Sequence, residues 1–224
     1  MTADFDGGAA TDPWPLHRLV LRTPRLELRP DDDAGLVELA AAAAAGVHNP
    51  DRMPFSVPWT DAPAAELGRN TLQFYWRQRA ELRPDEWHLN FLVRLDGHVI
   101  GTQALSATGF ATSREVSSGS WLTRSRHGRG YGTEMRAAVL MLAFDRLGAV
   151  AARSGAFSDN LPSQGVSRRL GYAEDGTATT VVRGRRVTEI RYRMDAADLV
   201  RPDWTLRVDG LEPCLPLLGL TPDA

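Results

Sequence analysis

His127-Gly128-Arg129-Gly130-Tyr131-Gly132-Thr133 decides how this chain is read. Three glycines alternate there, after a β-like run over residues 118–122 and before a strongly helical run over 134–147. Glycine lets a backbone turn its N–H groups inward and lets a ligand approach closely. A helix start adds unpaired N–H donors and a partial positive charge. The order strand, glycine loop, helix therefore suits a pyrophosphate. A sharp structural turn uses the same residues, so the loop alone leaves both readings open.

The bulk properties narrow the choice. A chain of 224 residues can bury one large core, and 43% hydrophobic with 24% charged residues is an ordinary globular balance. The net charge of -2 supplies no whole-protein attraction to nucleic acid or to an anionic membrane, so neither is expected as a partner. A single cysteine, Cys214, excludes an intrachain disulfide and a thiolate-rich zinc site, and no metal is expected. Cys214 reads as structural, since no histidine lies near it in sequence. No stretch is apolar and long enough to span a bilayer, and residues 1–15 are polar and acidic, unlike a signal peptide. The expected compartment is the cytoplasm.

Three segments are expected along the chain: a flexible lead-in over 1–15, one domain over 16–196, and a packed C-terminal extension over 197–224. Residues 19–29 alternate in part and read as a first strand. Asp31-Asp32-Asp33 looks like a metal cluster, but acidic residues also cap a helix, and a helix over 34–45 follows. Residues 49–63 carry four prolines with Met53, Phe55 and Trp59 between them. That loop either plugs the core edge or walls an acceptor pocket. A helix over 64–82 comes next, then a hairpin of 88–95 and 98–106 about Asp96-Gly97. A strand over 114–122 leads into the glycine loop. Beyond its helix lie a strand over 150–157, a short helix from Asn160 to Gly171, and a hairpin of 173–182 and 187–194. This order implies a mixed α/β (α+β) fold around one central, mostly antiparallel sheet.

Three features in this order resemble the GNAT acyl-CoA N-acyltransferases, in the Rim-type branch of ribosomal-protein N-acetyltransferases. They are Ser120-Trp121-Leu122, the run from His127 to Met135, and Asn160-Leu161-Pro162-Ser163 with Ser167 to Tyr172. The resemblance covers about residues 19–194 and implies a twisted sheet splayed at its middle. It implies that the amides of Gly128, Arg129, Gly130, Tyr131, Gly132 and Thr133 hold the coenzyme A pyrophosphate, with Arg129 and Arg124 near phosphates. The pantetheine arm would run along the strand at Trp121 and Leu122, and Asn160 would contact it. His127 stands where the family has Gln or Arg; it is expected either to add a phosphate contact or simply to be exposed. The family's general-acid tyrosine position is Ser167 here, whereas the Rim branch presents a serine three after the asparagine, which is Ser163. Ser163 is thus the expected acid toward the leaving thiolate; a first-turn helix serine is its plain alternative. A nearer likeness, to actinobacterial proteins described as succinyl-CoA transferases, rests on Gly119 to Leu122, Gly132 to Leu140 and Val208-Asp209-Gly210. It nominates succinyl-CoA beside acetyl-CoA as donor.

The implied reaction is attack of an amine on a thioester. The amine must lose a proton to a base, and backbone N–H groups near Trp121 and Leu122 would stabilise the oxyanion. Glu115 is the first candidate base and His88 the second; an ordinary surface glutamate and a packing histidine are the alternatives. The expected partners are an acyl-CoA donor and a primary amine on a protein or small molecule. Self-association is left open, because the aromatic loop and tail could equally close the monomer's own core. The competing function is a non-catalytic acyl-CoA-binding or sensing module. An unrelated nucleotide binder is disfavoured, since no Lys-Ser/Thr phosphate motif follows the glycines.

Overall fold

The computed structural model describes residues 12–221. Most of the expected lead-in lies outside them; within them Trp14 already packs against the core and Pro15 opens a 3-10 turn. Nine strands form one sheet: β1 (Val20–Arg22), β2 (Leu26–Pro30), β3 (Glu86–Leu95), β4 (His98–Thr108), β5 (Glu115–Leu122), β6 (Ala151–Phe157), β7 (Ala173–Val182), β8 (Arg185–Asp195) and β9 (Arg207–Asp209). Five helices accompany them: α1 (Asp33–Ala44), α2 (Ala64–Ala80), the single turn α3 (Phe110–Ser113), α4 (Tyr131–Asp145) and α5 (Leu161–Leu170). The strand order is β7-β8-β6-β5-β4-β3-β2-β1-β9. Every neighbouring pair is antiparallel except β5 with β6, so the mixed, mostly antiparallel fold is as the sequence implied.

The parallel pair makes the site. β5 and β6 pair only from Glu115 to Ser117 against Ala151 to Arg153. Beyond that, β5 follows β4 to Leu122 and β6 follows β8 to Phe157. The sheet therefore splits into a V, and the inner edge of each strand keeps unpaired main-chain groups.

Two differences from the sequence reading have local causes. The single strand expected over 19–29 is two, because Thr23-Pro24-Arg25 forms a tight turn that places Leu21 opposite Leu28. Pro24 has no N–H for a ladder, and the Thr23 N–H closes the turn on the Leu26 carbonyl at 3.0 Å. The tail supplies an unforeseen strand, β9, on the free edge of β1. Leu211, Cys214 and Leu218 after it are buried in the main core, and the Trp87 indole N–H donates to the Leu218 carbonyl at 3.1 Å. Burial pushes the Cys214 thiol up to about 11, an inert group as expected.

Each face of the sheet has its own layer. On one, α4 is buried from Glu134 to Ala143, as its nearly continuous apolar sequence requires. On the other, α1 and α2 close over Leu36, Leu39, Tyr75, Leu92 and Val99. The acidic run before α1 caps it: the Asp32 carboxylate accepts from the Gly35 N–H at 2.7 Å.

Candidate active site

Strand alternation sorts β5 between the two layers. Ser120 points to α4, where Arg136 donates to its hydroxyl, and Trp121 points to α2, where its indole N–H donates to the Tyr75 hydroxyl at 3.3 Å. One cavity of about 1180 Å³ is lined by residues of both kinds. It runs from the glycine loop and the start of α5, through the V, to the α2 side of the sheet.

At the α4 end, Gly128 and Gly130 take φ of 72° and 83°, which only glycine adopts without strain. The N–H groups of Gly128, Arg129, Gly130, Tyr131 and Gly132 have no main-chain partner among the described residues. They face a helix start of partial positive charge, an anion cradle. Thr133 is different: its N–H already donates to the Gly130 carbonyl at 3.1 Å, so the expected cradle is one amide shorter. The Arg129 and Arg124 side chains do not line the cavity; Arg126 and Arg169 do. The Arg129 N–H has no main-chain partner among the described residues, while its carbonyl accepts from the Arg25 Nη1 at 3.0 Å. His127 turns its ring to the Leu122 carbonyl at 2.9 Å and ties the loop to the end of β5. It is thereby a brace and not a phosphate contact through that nitrogen.

A support behind the loop had no sequence signal. The Glu134 carboxylate, 7% exposed, accepts from the Thr23 hydroxyl at 2.6 Å, the Arg25 N–H at 3.1 Å and the Arg25 Nε at 2.6 Å. The Arg25 guanidinium also lies over the Tyr131 ring at 4.5 Å. The β1–β2 turn thus fixes the cradle from a distance of more than one hundred residues in sequence.

Asn160 caps α5, its Oδ1 accepting the Ser163 N–H at 3.3 Å. That leaves the amide NH2 of Asn160 and the Ser163 hydroxyl on the cavity wall. Ser167 is wholly buried and accepts from Arg136 at 3.1 Å, so it does not take up the acid role of the family tyrosine. On the α2 side, Phe55, Trp59 and Trp121 form a continuous wall, with ring centroids 5.4 and 5.5 Å apart. The proline-rich loop therefore walls the pocket. Tyr75 beside it stays a neutral hydroxyl, since burial pushes it up to about 12.

The structure does not bring Glu115 to the cavity. Its carboxylate accepts from the Arg153 Nε at 2.8 Å, with Arg193 at 3.6 Å. The Arg153 hydrogen bond holds it below the usual carboxylate range, the wrong direction for a base. His88 does line the cavity. So does Glu189 on β8, which the sequence reading passed over; it leans across Gly155, where any Cβ would collide with its carboxylate. Only cross-strand register reveals that carboxylate, because Glu189 lies in an ordinary polar alternation.

A split sheet with a run of unpaired main-chain amides at one mouth and an aromatic pocket at the other suits a group-transfer protein that grips a phosphorylated carrier. The chain matches the model of the acetyltransferase (GNAT) domain over residues 18–173, and it belongs to that family. Acetyl transfer from coenzyme A is the chemistry of that family. Among solved structures, Mycobacterium smegmatis RimJ in complex with CoA-disulfide is similar at 18% identity and a TM-score of 0.67, covering 90% of this chain and 95% of that one. RimL, a ribosomal L7/L12 alpha-N-protein acetyltransferase in complex with coenzyme A, has 18% identity and a TM-score of 0.60 over 79% and 97%. A GCN5-related N-acetyltransferase from Brucella melitensis has 20% identity and a TM-score of 0.61 over 80% and 79%. At these identities they share the fold. The five free amides, the open inner edge of β5 and the two left-handed glycines fit the pyrophosphate and extended arm of coenzyme A.

Among the described residues, no helix is long and apolar enough to cross a membrane, and no three His, Cys, Asp or Glu side chains gather as metal ligands.

Proposed function

We propose that the protein is an N-acyltransferase that moves an acetyl or succinyl group from coenzyme A directly to a primary amine, on a protein N-terminus, a lysine or a small molecule, with both substrates bound together. The single observation behind this reading is the cavity that passes through the V, with the anion cradle on the α4 side and the aromatic pocket on the α2 side. Two substrates entering from opposite faces meet without a covalent enzyme intermediate, and proximity supplies much of the rate. Acyl-coenzyme A contributes an activated thioester.

The chain's residues do the rest. Gly128, Arg129, Gly130, Tyr131 and Gly132 hold phosphate oxygens by N–H groups. The main chain of Trp121 and Leu122 lines the arm, and Asn160 offers its NH2 group. The Ser163 hydroxyl protonates or hydrogen-bonds the thiolate as it leaves. Glu189 and His88, both on the α2 side of the V, orient the amine and accept its proton. A thiol-release assay with acetyl- and succinyl-CoA and a mixture of amines tests the reading. Release that needs both donor and amine is expected. Tight coenzyme A binding with no amine-dependent release would instead mark a binding module. Thermal stabilisation should rank coenzyme A above NAD and ATP.

Ser163→Ala should lower kcat about tenfold or more with coenzyme A affinity unchanged in calorimetry. Full turnover in that variant would remove Ser163 from the mechanism. Glu189→Gln should cut kcat/KM for the amine by about tenfold or more while donor Kd stays put, whereas Glu115→Gln should leave both within about twofold. The reverse pattern would return the base role to Glu115.

A further inference from the structure

The acceptor end of the cavity is built more narrowly than a general amine needs. Same-face alternation puts Gly119 with Trp121 on the α2 side of β5, and Ala104 lies beside Gly119 on β4. Counting on from the last β5–β6 pair, Ser117 with Arg153, brings Gly155 level with Gly119 across the V. Two glycines and an alanine therefore make a low floor, and a Cβ on Gly119 would meet nothing within 4 Å. Rings stand to one side of it: Trp121, Trp59 and Phe55 in succession, with His48 edge-on to Phe55 at 5.7 Å. Carboxylates stand on the other side. Glu189 leans over Gly155, and Asp159 follows β6; both line the cavity.

The rings are set in place by their own loop. The His48 Nε2 lies 2.7 Å from the Thr60 hydroxyl, which ties the two ends of the segment that carries Phe55 and Trp59. From the other half of the sheet, Arg183 in the β7–β8 turn donates its Nε to Asp61 at 2.7 Å and its Nη1 to the Pro50 carbonyl at 3.1 Å. The aromatic loop is thus held to both halves of the split sheet, and the pocket is walled on both flanks instead of lying open to a protein surface. An exposed ion pair holds weakly, which suits a wall that parts for entry. Rings on one side and acid on the other select a molecule of two parts: a cationic nitrogen for Glu189 and a flat apolar body for the indoles. A lysine stem or a polar peptide end leaves the ring faces unmatched. The two parts lie close together, since Gly119 and Trp121 are one same-face step apart, about 7 Å. We propose that the acceptor is a small primary amine carrying an aromatic ring on a short alkyl spacer, its nitrogen over the Gly119–Gly155 floor beside Glu189 and its ring against Trp121 and Trp59. This narrows the acyltransferase reading above and rests on it.

Thiol release from acetyl-CoA and tryptophan fluorescence of the coenzyme A complex test it together on the full chain. 2-Phenylethylamine should exceed butylamine in kcat/KM by at least about tenfold, the scale of one well-stacked ring with its buried area. It should also change the fluorescence saturably at concentrations where butylamine does not. Trp59→Ala should lose the preference with coenzyme A Kd unchanged. Gly119→Val takes ordinary strand angles and fills the floor, so kcat/KM for 2-phenylethylamine should fall about tenfold or more while coenzyme A Kd stays within about threefold. Butylamine used equally well, or a preference that survives in Trp59→Ala, would overturn the proposal and leave the acyl-CoA reading intact. So would a pentapeptide beginning with serine or phenylalanine that outruns 2-phenylethylamine, since the walled pocket would then admit a chain. Should no amine turn over, the fluorescence titrations decide; should Gly119→Val not fold, Trp59→Ala decides. Failure of coenzyme A itself to bind would sink both readings.

Discussion

Gly130→Glu is expected to abolish coenzyme A binding, with Kd weakened at least about 100-fold. Gly130 has φ of 83°, and a side chain there costs about 1–2 kcal/mol in backbone strain alone. Its Cβ would stand 3.3 Å from the Arg25 Nη2, so a side chain there is crowded and brings its carboxylate beside the cradle. Arg25 is already engaged by Glu134 and does not neutralise the newcomer. A negative group then sits where five amides await negative oxygens. Gly130→Ala separates the two effects: it carries the strain without the charge and should lose only part of the affinity. Calorimetry against coenzyme A is the check, with circular dichroism to confirm folding. Undiminished binding by a folded Gly130→Glu chain would mean that the loop is a turn and not the cradle.

Glu134→Ala should lower both stability and coenzyme affinity. The carboxylate is buried and accepts three hydrogen bonds, two from Arg25 and one from Thr23. Its removal strands those donors and frees the β1–β2 turn from the start of α4. The cost is about 2–3 kcal/mol, since Arg25 is itself half-exposed and recovers hydration. For a chain of this length that is a fall in Tm of roughly 4–12 °C. The Arg25 contacts to the Arg129 carbonyl and the Tyr131 ring loosen with it, so the cradle is less preorganised and binding weakens. Glu134→Gln keeps an acceptor but not the charge and should fall between. Melting curves with and without coenzyme A measure both effects. An unchanged Tm with the full ligand-induced shift would show that the brace does nothing for the loop.

How far the sequence carries varied with the range of the interaction. Asp96-Gly97 set its hairpin locally, because both residues take positive φ. The glycine loop, the apolar helix after it and the Asn160 cap were equally local. The break at Pro24 was legible in principle, and the alternation on either side of it hid the turn. β9 was not legible, because three residues carry too little pattern to announce a strand. The sites divide the same way. Gly128, Gly130 and Asn160 are backbone and cap positions that spacing reveals. Glu115, His88 and Glu189 depend on which strand lies beside which.

The sequence by itself determined the kind of most of the longer elements and the glycine loop at a helix start, since dihedral preference, capping and periodicity act over a few residues. Only the tertiary structure decided that β5 and β6 part after Ser117, and with that split came the rest. It tied Glu115 to Arg153 and brought Glu189 over Gly155. Charge and hydrogen bonding between distant segments are properties of strand register, and no local stretch of chain encodes a register alone.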